Sequence, residues 1–341
     1  GVNQEIFALW RTYLSSGPGC TRQSPLWSAS ERARWSVGDL LCGFGYQGFP
    51  NYTVVHLAPA VGLDTTYLIR TPVANVSGDR DVQPLALYRV YATREQGRWV
   101  LANALPRLTR DWNHETIGRV RFLFPRTHAF ARPRAVLTSA FVDSLAAAFE
   151  ISPPASIDYY FTDDLIETLS AVGLEFFPLG SDTMGGRNYA ADRLVFVGSS
   201  SHGEEYRHEL AHVVLQPFLA PFNPAGLVRE GMMTWTGGSA GLAFRQLMPG
   251  LKAYLDAHAD VTLETVLSDP PARVGTLDVG YDGLAVLCKM IYDAGGLPAL
   301  RELAGAGREP RAVLGTSARL LKVSPAQLDT LWRRRVAELA R

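Results

Sequence analysis

The sequence predicts an α+β protein of two units, residues 1–131 and 132–341. Three observations carry that reading. The first third of the chain opens on one amphipathic helix and then turns to strand-like alternation. The remainder is dominated by helix-period stripes, with two short strand patterns among them. At 341 residues, with an apolar fraction of 47%, the chain is long for one core and apolar enough to bury two.

Residues 2–15 place Ile6, Phe7, Trp10 and Leu14 on one helical face. A stretch rich in Gly, Pro and Ser follows to about Pro50, and strand patterns run from Tyr52 to Phe130. Leu85, Leu87 and the residues through Tyr91 lead into Thr93-Arg94-Glu95-Gln96-Gly97, and Trp99-Val100-Leu101 resumes beyond it, which is a hairpin signal. Gly118 to Phe124 alternates and breaks at Pro125. Arg132-Pro133-Arg134 marks the junction between the units. The helix after it carries Val136, Leu137, Ala140, Phe141, Leu145, Ala148 and Phe149 on one stripe. Ile157–Phe161 and Arg193–Val197 read as strands, 163–172 as a helix, and the chain is mostly helical to its end. Ser324-Pro325-Ala326-Gln327 caps the last helix.

Lys plus Arg and Asp plus Glu each number 33, so the formal charge is zero and nothing favours a polyanionic partner such as nucleic acid. No stretch of eighteen apolar residues appears, so no transmembrane segment is expected. The N-terminal residues lack the charged head and apolar run of a signal peptide, leaving an intracellular protein or a leader removed earlier. Three cysteines are too few for a disulfide framework. Cys288 lies in an apolar run and reads as a buried thiol, while Cys20 and Cys42 are placed to pair in an oxidising compartment. That pair and the seven tryptophans favour an exported protein over a cytoplasmic one.

The segment that carries chemistry is Tyr206-Arg207-His208-Glu209-Leu210-Ala211-His212. Histidines four apart on a helix stand one turn above each other, so both imidazoles can meet one ion. The glutamate after the first histidine lies near that face without being a ligand, where it can take a proton from a metal-activated water. Ser201 with Glu204 reads as a capping box that starts this helix, and Pro217 marks its end or a kink. A second helix is expected over Asn223–Met233, with Pro224 near its first turn. A third ligand should follow, and this helix carries Glu230, eighteen residues after His212, as a candidate.

Two resemblances follow. A helix before several long antiparallel strands resembles the cone-like α+β fold of nuclear transport factors and ketosteroid isomerase, over roughly the first 130 residues. For that unit it implies a curved antiparallel sheet with a binding or structural role. His-Glu-x-x-His with a downstream Glu on a second helix resembles the gluzincin group of zinc metallopeptidases, including its peptidase-MA-like members, over about residues 135–305. This implies a thermolysin-like, mostly helical domain with a small sheet. It also implies one zinc ion on His208, His212 and Glu230, Glu209 as general base, and a peptide or protein substrate. By the same resemblance Leu194, Val195 and Phe196 form the edge strand that pairs with substrate. Tyr281 becomes the oxyanion donor, ahead of His258 and Tyr254. Thr234 stands where thermolysin-like enzymes place the Asp that orients the first histidine, a departure that leaves a less basic ligand. The implied activity is hydrolysis of peptide bonds. The alternative is a catalytically weak or inactive relative acting as a binding module.

Overall fold

The structure is a computed structural model and describes residues 1–16, 23–42, 56–60, 65–77, 81–177 and 184–341. Helix α1 (Val2–Ser15) contains neither Gly nor Pro and buries Ile6, Trp10 and Tyr13. Phe7 is 41% exposed, so it leaves the expected apolar face. One residue is about 100° of helix, and the face set by positions 6, 10 and 13 turns residue 7 outward. The indole N–H of Trp10 donates to Thr71 Oγ1 at 2.8 Å and ties this helix to the sheet beneath.

That sheet runs β1 (His56–Pro59), β2 (Thr66–Ser77), β3 (Asp81–Glu95) and β4 (Arg98–Ala102), all antiparallel. Gln96 and Gly97 both take positive φ, which a tight hairpin turn between β3 and β4 requires. Ile69, Val73, Tyr88, Val90, Ala92 and Leu101 pack with α1 on one face. The other face carries Leu68, Arg70, Arg89 and Tyr91, beside the short helix α3 (Leu105–Leu108). Between them in sequence, α2 (Ala29–Arg34) lies near the sheet's β4 edge, where Ser28 N donates to Leu101 O.

The second sheet is mixed, in the order β5 (Asn113–Ile117), β6 (Val120–Phe124), β7 (Ile157–Thr162), β10 (Leu194–Gly198) and β9 (Gly185–Tyr189). Its β6–β7 and β7–β10 pairs are parallel, and its outer pairs are antiparallel. The sequence reading puts residues 113–124 in the first unit, yet they hydrogen-bond to β7 in this second sheet. In return, β8 (Leu174–Phe176) crosses back to pair with β3 in the first. Local alternation reports that a strand exists and is silent on its partner, so neither exchange shows in the sequence.

Alternation along β7 and β10 explains why both faces of the second sheet are buried. Tyr159, Phe161, Val195 and Val197 join the helical core, whereas Tyr160, Leu194 and Phe196 join the core shared with α1 and the first sheet. Helix α4 (Arg132–Ala148) lies on the first of these faces and buries Ala135, Thr138, Ser139, Val142, Leu145 and Ala146. The expected stripe is therefore rotated: Leu145 and Phe149 are buried, but Val136 and Leu137 are 49% and 53% exposed. Close packing selects small residues here, and Thr138 Oγ1 donates to the Glu204 carbonyl at 2.6 Å.

Helices α5 (Leu165–Val172), α6 (Arg207–Leu219), α7 (Gly226–Gly237), α8 (Phe244–Ala257), α9 (Leu263–Ser268), α10 (Val279–Ala304), α11 (Pro310–Leu321) and α12 (Pro325–Leu339) complete the chain. At the expected capping box of α12, Gln327 Oε1 accepts from Ser324 N at 3.0 Å, while Ser324 Oγ makes no bond to the helix backbone. Helix α10 is the hub of the helical half, touching α7, α8, α9, α11 and α12 and breaking at Gly295–Gly296. By length and composition it is apolar enough to cross a membrane, where the sequence reading expects no such segment. Its middle, Leu284 to Cys288, is wholly buried among the other helices, and it carries Asp282, Lys289 and Asp293. Cys288 is a buried free thiol, as expected. Cys42 is disulfide-bonded, and Cys20, its expected partner, lies outside the described residues.

Asp39 is buried beside α1, accepting from Tyr13 Oη and, at 2.9 Å, from Leu41 N. Burial outweighs these bonds and pushes its carboxyl up to about 7. The folded chain thus keeps a proton that the unfolded chain releases near pH 4, so this group costs stability progressively as pH rises from about 4 to 7. We expect Asp39→Asn to stabilise the protein at pH 8 by on the order of 2 kcal/mol, and by much less at pH 4.5. Urea denaturation at the two pH values measures the difference. An equal effect at both would show that the buried carboxyl does not titrate in this window.

Candidate metal centre

Helix α6 begins at Arg207 without a side-chain cap. The expected Ser201–Glu204 box does not form, because both side chains are engaged elsewhere. Ser201 Oγ lies 2.7 Å from His202 Nδ1, and Glu204 is turned inward, where Oε1 accepts from Ala131 N at 2.6 Å and lies 2.9 Å from His128 Nε2. Tyr159 Oη adds a brace, donating to the Gly203 carbonyl at 2.7 Å and accepting from Tyr206 N at 3.1 Å. The start of α6 is thereby pinned to α4 and to the centre of the second sheet. Pro217 lies inside the helix, two residues before its end.

One turn apart on α6, His208 and His212 present rings 5.2 Å from centroid to centroid. Helix α7 starts at Gly226, so Pro224 precedes it instead of occupying its first turn. The helix brings Glu230 to both imidazoles: Oε2 stands 3.1 Å from His208 Nε2 and 3.2 Å from His212 Nε2. Gly231 lets α7 lie close against α10, because a Cβ there would lie 2.6 Å from Leu284 Cβ. The three donor atoms lie within 4.8 Å of one another. Burial opposes charge on His208, but the hydrogen bond it donates to Glu230, with the carboxylates of Glu209 and Glu230, outweighs it and raises its pKa. Burial likewise opposes charge on Glu230, and its contacts with the two histidines hold it well below the usual carboxylate range.

Behind His208, Nδ1–H donates to the backbone carbonyl of Gly238 at 2.8 Å. This orients the ring so that Nε2 faces Glu230 and His212. Thr234 does not do this, contrary to expectation: its side chain is fully buried, with Oγ1 unpartnered among the described residues. The cause is geometric. Gly238, just past the end of α7, directs its carbonyl back to α6 and already occupies His208 Nδ1.

Glu209 faces the edge strand β9. Asn188 Nδ2 donates to its Oε2 at 2.6 Å, and a Cβ on Gly186 would lie 2.4 Å from its Cγ. This corrects the expected substrate strand. Leu194, Val195 and Phe196 belong to β10, which is paired on both sides, to β7 and to β9. Among the described residues β9 is the strand at the sheet's end, and it walls the cleft over the histidines. Asn188 is the residue that sequence reasoning missed, because its only signal is a strand register that places it over α6.

Tyr281 does enter the cleft. Its ring is parallel to His208 at 5.9 Å between centroids, and Asp278 Oδ1 accepts from its backbone N–H at the start of α10. Burial, then the carboxylates of Glu230, Asp278 and Glu209, raise its pKa and keep the phenol protonated. Tyr254 and His258 stack on each other at 4.0 Å and do not line this cleft. The cleft encloses about 480 Å³, and Arg187, Arg229 and Arg273 also line it. Two nitrogens and one carboxylate oxygen converging on one point suit a borderline-soft divalent cation such as zinc. No family model matches the chain, and no curated protein matches its sequence.

Proposed function

We propose that the protein is a zinc-dependent peptidase of the thermolysin-like, gluzincin type, with His208, His212 and Glu230 holding one zinc ion and Glu209 as general base. One observation carries the reading. Both Nε2 atoms stand 3.1 and 3.2 Å from the same oxygen of Glu230. Donor atoms bound 2.0–2.1 Å from a tetrahedral zinc stand about 3.3 Å apart. Both histidine-to-carboxylate spacings match that value, and all three donor atoms lie within 4.8 Å of one another. Zinc bound there would acidify water and polarise a carbonyl oxygen.

The chain's own groups supply the remaining chemistry. Asn188 holds Oε2 of Glu209, which leaves Oε1 to take a proton from the attacking water and deliver it to the departing amine. The edge of β9 offers backbone groups that an extended peptide can pair with, aligning its carbonyl over the histidines. The Tyr281 hydroxyl, kept protonated by its surroundings, donates to the developing oxyanion. A second reading, a binding protein without catalysis, draws support from the neutral carbonyl behind His208, where a carboxylate would make the imidazole a stronger ligand.

Elemental analysis of untreated protein is expected to find one zinc per chain. Glu209→Gln should retain that zinc and lower cleavage of a peptide library by about 10²- to 10⁴-fold. Full activity in this variant removes Glu209 as the base, and a zinc-loaded parent that cleaves nothing favours the binding module. Chelation should lower the melting temperature, since zinc at a hundred times its Kd contributes about 2.7 kcal/mol to the folded state. In His212→Ala, calorimetry should show no shift on adding or removing zinc. Gly186→Ala should reduce cleavage at unchanged metal content, because the new methyl displaces Glu209. Unimpaired kcat and KM in that variant would mean that β9 does not set the position of the base.

A further inference from the structure

The face of the first sheet turned away from α1 carries a cavity of its own, enclosing about 770 Å³, within the range of small-molecule sites. Arg70 on β2 and Arg89 on β3 stand directly opposite one another across the antiparallel ladder. Like charges at facing positions are destabilising, so the pair needs an explanation. Glu175 on β8 offsets part of it, with Oε2 2.9 Å from Arg70 Nε and a second ion pair to Arg89. One carboxylate thus serves two guanidiniums. Arg107 of α3 adds a third, 5.2 Å from the ring centroid of Tyr91, and Arg110 a fourth at the rim.

All four arginines line the cavity, and among the described residues no acidic side chain does. Arg89 Nε is buried with no hydrogen-bond partner among the described residues. The rest of the lining is largely apolar, including Ala58, Leu68 and Leu108. Outside the lining, Glu175 and Asp111, the latter 3.6 Å from Arg110, set two carboxylates against the four guanidiniums. Here the excess of positive charge faces open volume beside an apolar floor. We propose that this cavity binds a small organic anion, a carboxylate or phosphate head on an apolar body. The guanidinium forks suit either oxyanion, and the floor takes the hydrocarbon.

The proposal is independent of the metal centre, and its test uses the full chain. Isothermal titration would use sodium octanoate and octyl phosphate as probes, with octyl glucoside as the uncharged control. At least one anion should bind with one-to-one stoichiometry and octyl glucoside should not. The tighter of the two anions identifies the head group. Arg107→Gln and Arg110→Gln should each weaken that binding about tenfold. Arg110 is exposed at the rim, so circular dichroism should show its variant folded, and lost binding there cannot be ascribed to unfolding. No binding of either anion at millimolar concentration overturns the proposal. So does equal binding of octyl glucoside, or unchanged affinity in both variants.

Discussion

Four ionisable side chains share one small volume between α6, α7 and β9, and withdrawing them from water is the constraint around which the helical half is arranged. Glu209 and Glu230 carry two negative charges when both imidazoles are neutral. Contacts among His208, His212 and Glu230, and the Asn188 amide on Glu209, relieve only part of the desolvation they suffer. A divalent cation would bring the sum of these four to zero, which is a physical reason for the cluster to persist at the wall of the cleft. Without such a group the cluster would be a costly substitute for hydrophobic packing.

Holding the cluster in place falls to packing at some distance from it. Gly231 lets α7 lie against α10, and α10 in turn is enclosed by the remaining helices. Tyr159 and Glu204 fix the start of α6 from below, through the second sheet and α4. That sheet is buried on both faces, and its two central strands divide their alternate side chains between two cores. The exchange of β5–β6 in one direction and β8 in the other ties the first sheet to the same framework. Displacing the first sheet would therefore strain the platform on which the histidines stand.

How much of this was legible in the sequence follows from the range of each interaction. His208 and His212 need only a helix to be neighbours, so their spacing sufficed. Glu230 was within reach because it lies on the next helix along the chain. The carbonyl of Gly238 leaves no trace, since any residue has one, and its role depends on how α7 ends. Strand order is equally hidden: the resemblance makes β10 the edge, yet in a sheet buried on both faces the more apolar strand lies inside. The edge is β9, Gly-Gly-Arg-Asn-Tyr, whose composition resembles a loop. On α4 the largest side chains suggested the wrong face, because the buried one needed small residues. The pairing of Arg70 with Arg89 is a matter of cross-strand register, which local alternation does not reveal.

On the peptidase reading, the neutral partner of His208 has a consequence beyond orientation. A carboxylate in that place would add a third negative charge to the cleft and make the imidazole a stronger donor to the metal. Greater donation binds the ion more tightly, but it also satisfies the ion and weakens its pull on a substrate carbonyl. The Gly238 carbonyl fixes the same tautomer without adding charge, leaving Glu209 and Glu230 to balance a dication between them. A site built in this way gives up some affinity for its ion and keeps the ion's electrophilicity. Weaker ligation and competent chemistry are thus compatible, and the missing carboxylate does not by itself argue for a silent site.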